Sequence, residues 1–193
     1  MIKKIIISLS VVGIFYLYSC SPIGILGGAT TSTMVIAEGD RTLGTVVDDT
    51  TIKINISAKF LKSNNNLFID IGSNVIEGRV LLTGLVETQE IRIDAVRIVW
   101  EVEGVKEVVN EIIVGSNTTI KEYASDLWIN TQAKALAAKT VGLRSLSYNF
   151  ETIKGKVYIA GITSRPEQLD DIIKVTKTIK GVKEIINYVI LKE

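Results

Sequence analysis

Few residues in this chain could carry out catalysis or hold a metal ion. The sequence of 193 residues contains no histidine, which removes the commonest general base and the commonest metal ligand. Its single cysteine, Cys20, permits neither an internal disulfide nor a zinc site built from thiolates. A serine nucleophile would therefore need another base. These absences argue against most enzyme classes, and we expect a protein without catalytic activity.

Two pairs of adjacent carboxylates, Asp48-Asp49 and Asp170-Asp171, invite a metal-binding interpretation. Neighbouring residues of a helix point about 100° apart, so the second pair does not converge on one ion. The first pair lies at a predicted helix start, where capping and the helix dipole explain acidic residues. The sequence contains neither a Walker loop nor a dinucleotide fingerprint. We therefore expect no metal, no cofactor and no small-molecule substrate.

Cys20 follows a segment typical of an export signal. A basic start at residues 3–4 precedes an apolar run over residues 5–18, shorter than the roughly 20 residues of a transmembrane helix. The run ends at Leu17-Tyr18-Ser19-Cys20, which resembles a bacterial lipobox. The resemblance implies acyl chains such as palmitate on Cys20, and Ser21 after it implies sorting to the outer membrane. The alternative is an uncleaved membrane anchor with an incidental cysteine.

The rest of the chain is one structural unit present twice. Residues 49–114 align with residues 126–191 at a fixed offset of 77, with 16 identities in 66 pairs and no gap. A match this long without a gap indicates duplicated structure and not chance. A copy this small buries only a marginal core by itself, so we expect the two copies to pack on each other.

Hydrophobic periodicity and turn residues predict the order helix, strand, strand, helix, strand in each copy. The first helices are expected to open after N-cap aspartates, Asp49 and Asp126. Tight turns at Glu77-Gly78 and Lys154-Gly155 join the first two strands, since glycine accepts positive φ. The predicted strands cover 68–76, 79–85, 108–114, 145–153, 156–162 and 185–191. The second helices are expected over 88–103 and 165–180, each followed by a left-handed glycine, Gly104 or Gly181.

Two glycine-containing patterns occur in both copies. They are Gly78-Arg79-Val80-Leu81-Leu82-Thr83-Gly84 and Gly104-Val105-Lys106-Glu107-Val108-Val109-Asn110, which recur at 155–161 and 181–187. These patterns resemble the BON domain. The resemblance implies an α+β fold of two tandem domains, each a small mixed three-stranded sheet covered by two helices in the order αββαβ.

The order of lipobox, tether and two BON copies resembles the dual-BON outer-membrane lipoproteins of the DolP type, related to the osmotically induced periplasmic OsmY. It implies a lipoprotein signal peptide at 1–19, a lipidated tether at 20–47, a first BON domain at 48–115, a linker at 116–125 and a second BON domain at 126–193. The resemblance also implies a lipid anchor on the periplasmic face of the outer membrane and a role in envelope integrity.

The near-zero net charge of the chain averages over two oppositely charged copies. Residues 49–114 hold 7 basic and 10 acidic side chains, net −3, whereas residues 126–191 hold 10 basic and 6 acidic ones, net +4. A basic module tethered to a membrane could lie on anionic headgroups, where each basic residue contributes about 1 kcal/mol.

Trp128 lies in the predicted first helix of the basic copy. The aliphatic stripe of this helix, which includes Ile129, Ala133 and Ala137, centres about 120° from Trp128, whereas Lys139 lies about 20° from it. A tryptophan beside a lysine suits a lipid interface. The alternative is that Trp128 packs against the first copy or the tether. For Trp100, off the apolar stripe of its helix, we expect inter-domain packing.

The family resemblance implies that anionic phospholipid binds to the second domain near its first helix. The expected phospholipid-binding residues are Trp128, Leu127, Lys134, Lys139 and Arg144. The second hypothesis is a protein-interaction module that acts with outer-membrane assembly proteins through a strand edge or a helix face. Nucleic acid is not an expected partner, because an exported protein would rarely meet it.

Overall fold

The computed structural model describes residues 43–63, 70–116 and 118–192. In these residues each copy of the repeat has the predicted order of elements. Copy one contains α1 (Leu43–Ser63), β1 (Ile71–Ile76), β2 (Arg79–Val86), α2 (Gln89–Trp100) and β3 (Glu107–Val114). Copy two contains α3 (Ile120–Val141), a 3₁₀ helix (Gly142–Ser147), β4 (Tyr148–Ile153), β5 (Lys156–Thr163), α4 (Pro166–Lys177) and β6 (Glu184–Leu191). The expected signal peptide and Cys20 lie outside the described residues.

Each copy forms one mixed three-stranded sheet, which confirms the predicted α+β fold. The strand order is β1-β2-β3 in the first sheet and β4-β5-β6 in the second. β1 and β2 form an antiparallel hairpin, and β3 runs parallel to β2 after the crossover through α2. Copy two repeats this arrangement through α4. A parallel pair needs such a crossover, usually a helix, to bring the chain back to the starting edge.

The tight turns of the two hairpins are confirmed at the predicted residues. Glu77 and Gly78 have φ values of 55° and 81°, and Lys154 and Gly155 have φ values of 52° and 81°. Two consecutive residues with positive φ are the mark of a type I′ turn, whose twist matches that of the flanking strands. The glycine takes the more extreme of the two values at no steric cost.

The predicted starts of the two long helices are wrong. α1 begins at Leu43, and α3 begins at Ile120, so the residues 120–125 expected in the linker form the first turn and a half of α3. Thr119 is the N-cap of α3. Its hydroxyl accepts a hydrogen bond from the Glu122 backbone N–H, and the Glu122 carboxylate accepts one from the Thr119 N–H at 2.9 Å. This capping box satisfies two of the free N–H groups at the helix start.

The two aspartates expected to cap these helices instead hold the hairpin turns. The Asp49 carboxylate accepts hydrogen bonds from the backbone N–H groups of Glu77 and Gly78, at 2.8 and 2.9 Å. The Asp126 carboxylate accepts the equivalent bonds from the residues of the second turn, at 2.6 and 2.8 Å. Hydrogen bonds from backbone N–H groups to an ionised carboxylate are stronger than those between neutral groups. Each aspartate therefore fastens the first helix of its copy to its hairpin.

Three apolar clusters hold the described residues together. One cluster lies between the helices and the sheet of copy one, and another occupies the same place in copy two. The third cluster joins the two copies, with Ile76 and Leu81 of the first sheet packed among Tyr158, Ala160 and Ile162 of the second. Both faces of β2 and β5 are therefore buried, one under helices and one against the other sheet, as their continuous apolar runs require. The expected packing of the copies on each other is observed.

Polar contacts border this junction of the two sheets. The Tyr188 hydroxyl donates a hydrogen bond to the Glu111 carboxylate, and these two residues occupy equivalent positions of the two copies. The Arg79 guanidinium lies 5.8 Å from the centre of the Tyr188 ring. Lys192 forms an ion pair with Glu77 of the other copy at 2.8 Å. Burial, followed by the hydrogen bond to Glu111, raises the pKa of Tyr188 to about 12.

Alkaline conditions are expected to weaken the protein through Tyr188. Its pKa is about 12 in the folded chain against 10.0 for an unperturbed tyrosine, so the unfolded chain releases this proton first as the pH rises. The stabilisation is complete below pH 10 and is lost as the pH approaches 12. Between pH 8 and pH 11, the free energy of unfolding should fall by about 1 kcal/mol more in the unchanged protein than in Tyr188→Phe. Urea denaturation at both pH values measures this difference, and equal losses would contradict the assignment.

Candidate membrane-binding surface

The structure places Leu127 and Trp128 on the exposed side of α3. Their side chains are 56% and 57% exposed, whereas Ile129, Ala133 and Ala137 are fully buried against the sheet of copy two. The predicted division of the helix into a packed stripe and an outward-facing tryptophan is therefore what the structure has. The Trp128 side chain is therefore exposed and can contact a membrane or another molecule.

The outward side of α3 is apolar over several turns. Ile120 and Tyr123 are 89% and 65% exposed, and Ala124, Ala135 and Ala138 are also exposed around Trp128. The small alanine side chains leave the indole ring of Trp128 as the largest projection of this surface. A helix that is apolar on its exposed side as well as on its packed side normally meets a partner or a membrane. We call this surface the α3 face.

Positive charges border the α3 face. Lys121 and Lys139 both lie about 20° from Trp128 around the helix axis, and both are exposed. Lys134 is exposed on the other edge, beside Leu127. The two acidic residues of the helix lie on its other side, where Glu122 forms the capping box and Asp126 holds the hairpin turn. No carboxylate of α3 therefore weakens the attraction of an anionic surface to this face.

The 3₁₀ helix after α3 extends the apolar surface. Leu143 and Leu146 are exposed there, and Gly142 makes the break between the two helices with a φ of 63°. Arg144 lies between them but is half-buried and has a partner within the chain. The structure therefore brings Leu127, Trp128, Lys134 and Lys139 onto one exposed surface. Arg144 is less available at this surface, because it is half-buried and already has a partner.

Sequence reasoning missed five residues of this surface, namely Ile120, Lys121, Tyr123, Leu143 and Leu146. The first three were assigned to the linker because Asp126 was taken as the N-cap. The sequence does contain the correct signal, since Thr119 and Glu122 have the spacing of a capping box. A helix starting there would have placed Lys121 beside Trp128.

The expectation that Trp100 packs between the domains is wrong. Trp100 is the last residue of α2 and is 52% exposed. The cluster that joins the two copies is built from strand residues, because the sheets meet through the faces that the helices leave uncovered. A residue at the end of a covering helix cannot reach that junction.

The part of the chain that the structure describes has no helix that combines the length and the apolar composition needed to cross a bilayer. An exposed indole among lysines can lie at the headgroup level of a bilayer, with its ring in the apolar boundary and its N–H in the polar layer.

Comparison with known proteins agrees with the repeat. Residues 48–116 and 125–193 each match the BON domain. The chain is 27% identical over 187 residues to the outer membrane lipoprotein DolP of Haemophilus influenzae, a match that covers 96% of this chain and 94% of the relative. It is 28% identical to the osmotically-inducible protein Y of Escherichia coli, over 75% of this chain and 73% of that protein.

A protein of Anaplasma centrale, described as an uncharacterized protein in the gshII 5′ region, is 41% identical over 147 residues. That match covers 76% of this chain and 96% of the relative. The two domain matches span most of the chain, and both copies have the same order of helix, hairpin, helix and strand. The chain therefore belongs to the BON domain family, as a tandem-BON protein similar to DolP.

Proposed function

We propose that this chain is a non-enzymatic, envelope-associated lipoprotein that binds anionic phospholipid through its second BON domain. The similarity to a protein named as an outer membrane lipoprotein supports a lipid anchor at Cys20 and a position on the periplasmic face of the outer membrane. In this proposal the protein supports envelope integrity by binding the membrane and not by catalysis.

One observation carries the membrane-binding proposal, namely the exposure of Trp128 on an apolar helix face bordered by lysines. A chain held by its lipid anchor already has a high local concentration at the bilayer, so weak contacts are sufficient. Each lysine near an anionic surface contributes about 1 kcal/mol, and the α3 face has Lys121, Lys134 and Lys139. Insertion of the indole ring and of Leu127 adds the apolar part.

The division of charge supports an orientation as well as an affinity. Copy two carries a net +4 and copy one a net −3 over the repeated segments. An anionic bilayer would attract copy two and repel copy one, which favours the α3 face as the side turned towards the membrane. The interaction is expected to weaken with salt because the exposed lysines are screened.

The test is co-sedimentation of the mature chain with vesicles, using Cys20→Ser so that no acyl chain contributes. We expect binding to vesicles containing phosphatidylglycerol and at least about tenfold weaker binding to phosphatidylcholine vesicles, since about three lysines lose their attraction. Equal binding to the two compositions would overturn the proposal. A matched series at rising salt should reduce binding to the anionic vesicles alone.

The second candidate function is a protein-interaction module that acts with outer-membrane assembly proteins. It is favoured by a stripe of exposed apolar residues on α1, where Val47, Ile54 and Leu61 recur every seven residues. Residues at this spacing share one helix face and can pack against a partner helix. A photo-crosslinker at Ile54 would favour this function if it gave one defined adduct that persists when vesicle binding is abolished at Trp128.

A further inference from the structure

A cleft of about 770 Å³ lies between the two copies. The end of β2 and the starts of β1 and α2 form its wall in copy one, and α3 with the end of β4 forms its wall in copy two. It is distinct from the α3 face, with which it shares Tyr123 and Leu127 at its rim. The internal repeat does not account for this cleft, because the cleft lies where non-equivalent parts of the two copies meet.

Two buried hydroxyl groups line this cleft without a partner. Thr83 is 0% exposed and Thr152 is 4% exposed, and neither Oγ1 atom has a hydrogen-bond partner among the described residues. Gly72, also in the cleft, is the strand neighbour of Thr83, and a Cβ there would approach Thr83 Oγ1 to 3.2 Å. The glycine therefore leaves open the side of Thr83 that faces the cleft.

These hydroxyls are departures from the repeat. The residue of copy two at the position of Thr83 is Ala160, and the residue of copy one at the position of Thr152 is Val75. The fold thus accepts an apolar side chain at both positions. A buried hydroxyl without a partner destabilises a protein, so its presence in a cleft indicates a group that a ligand satisfies.

Among the residues that the structure describes, the charged ones that line the cleft are all acidic. They are Asp70, Glu87, Asp126 and Glu151, of which Asp126 is occupied by the hairpin turn. Burial, followed by the nearby Glu87, raises the pKa of Asp70, and burial raises the pKa of Glu151. Lys134 and Lys53, which lie outside the cleft, act in the opposite direction and lower the pKa of Glu151, but burial has the larger effect. A ligand cation would therefore relieve both carboxylates.

Edge strands of both copies border the cleft. β1 and β4 each have one hydrogen-bonded neighbour in a three-stranded sheet, so their other edges carry backbone groups that a further strand can pair with. Ile71 and Gly72 of β1, and Glu151 to Ile153 of β4, line the cleft. An extended peptide can use such groups, whereas a compact ion cannot.

We propose that this cleft binds an extended, basic peptide segment of a partner protein, with lysine or arginine side chains placed at Glu151 and Asp70 and polar groups placed at Thr83 and Thr152. The peptide supplies the cations that the acidic walls attract and the hydrogen bonds that the two hydroxyls lack. Its backbone pairs with an edge strand. The cleft borders the α3 face through Tyr123 and Leu127, but it attracts its ligand through carboxylates, whereas the α3 face attracts a bilayer through lysines.

The test uses the mature Cys20→Ser chain and a short fluorescein-labelled peptide of alternating lysine and serine, followed by fluorescence anisotropy at low salt. We expect Glu151→Gln to weaken binding about tenfold, and Asp70→Asn to act in the same direction. Glu167→Gln on α4 is the matched control, because it removes an exposed carboxylate outside the cleft. It should change binding by less than about twofold.

Thermal denaturation separates a binding role from a structural one. Removal of the half-buried charge in Glu151→Gln should leave the melting temperature unchanged or raise it while peptide binding is weakened. Thr83→Ala and Thr152→Val, which introduce the residue of the other copy, should weaken peptide binding a few-fold without loss of stability.

Three results would overturn the proposal. One is unchanged peptide binding in Glu151→Gln and Asp70→Asn, and another is equal binding of a peptide with glutamate in place of lysine. The third is loss of vesicle binding together with peptide binding in Glu151→Gln, because the cleft would then recognise a lipid headgroup. Retention of vesicle binding in this variant supports a separate peptide site.

Discussion

Replacing Gly84 by alanine is expected to lower the free energy of unfolding by about 3 kcal/mol or more. Gly84 lies in β2 opposite Ile71, with a φ of 149° that side chains rarely adopt. A Cβ atom there would lie 2.1 Å from the Asp70 carbonyl oxygen and 3.0 Å from the Ile71 Cα. Both are backbone atoms, so the hairpin must open to make room.

Urea denaturation followed by circular dichroism measures this loss. Gly142→Ala is the matched control, because Gly142 also has a positive φ, of 63°, but a Cβ there meets nothing within 4 Å. It should cost only about 1–2 kcal/mol, because its backbone conformation, with a φ of 63° and a ψ of −137°, is one that side chains rarely adopt. Gly161→Ala, whose Cβ would lie 2.4 Å from the Ser147 carbonyl oxygen, should resemble Gly84→Ala. Similar losses for Gly84→Ala and Gly142→Ala would contradict the steric argument.

Trp128→Glu is expected to weaken binding to anionic vesicles at least about tenfold, because it removes an interfacial anchor and places a like charge against the headgroups. Trp100→Glu is the matched control. Trp100 is 52% exposed against 57% for Trp128, but it lies on the acidic copy. The control should bind vesicles within about twofold of the unchanged chain, since the mutation lies outside the α3 face.

Co-sedimentation gives the affinities, and fluorescence tests the position of the ring. In a Trp100→Phe background Trp128 is the single tryptophan, since the chain has two. Its emission should shift to shorter wavelength when anionic vesicles are added, because the ring leaves water. An unshifted emission with undiminished vesicle binding would show that Trp128 is not the anchor.

The repeat made much of the fold predictable. Gly78 and Gly155, at the same place in both copies, identified two hairpins, and strand bounds followed from them within a few residues. Turn geometry and strand alternation depend on neighbouring residues, so a local pattern is sufficient to detect them.

Asp49 and Asp126 were misread for the opposite reason. An aspartate before an apolar helical stripe has the appearance of an N-cap, but each of these two binds a hairpin turn that follows 28 or 29 residues later. The sequence pattern is the same for both roles. Only the approach of helix and hairpin decides between them.

The prediction of exposed residues from the sequence was limited in the same way. The helical wheel separated Trp128 from the packed stripe of α3, whereas Trp100 was assigned to a junction that it does not reach. The wheel reports which residues share a face, but the residues that cover a face depend on how the sheets pack. Leu81 and Tyr158 point away from their own helices, and the sequence does not state that they meet each other.

The sequence by itself determined the duplication, the order of the elements, the hairpin turns and the opposite charges of the two copies, because each of these is a property of residue type and local spacing. The tertiary structure alone decided that the sheets join back to back, that Asp49 and Asp126 hold the turns, and that a cleft with two unpartnered hydroxyls lies between the copies. These features arise from contacts between residues far apart in the chain, and the local spacing of residues does not predict such contacts.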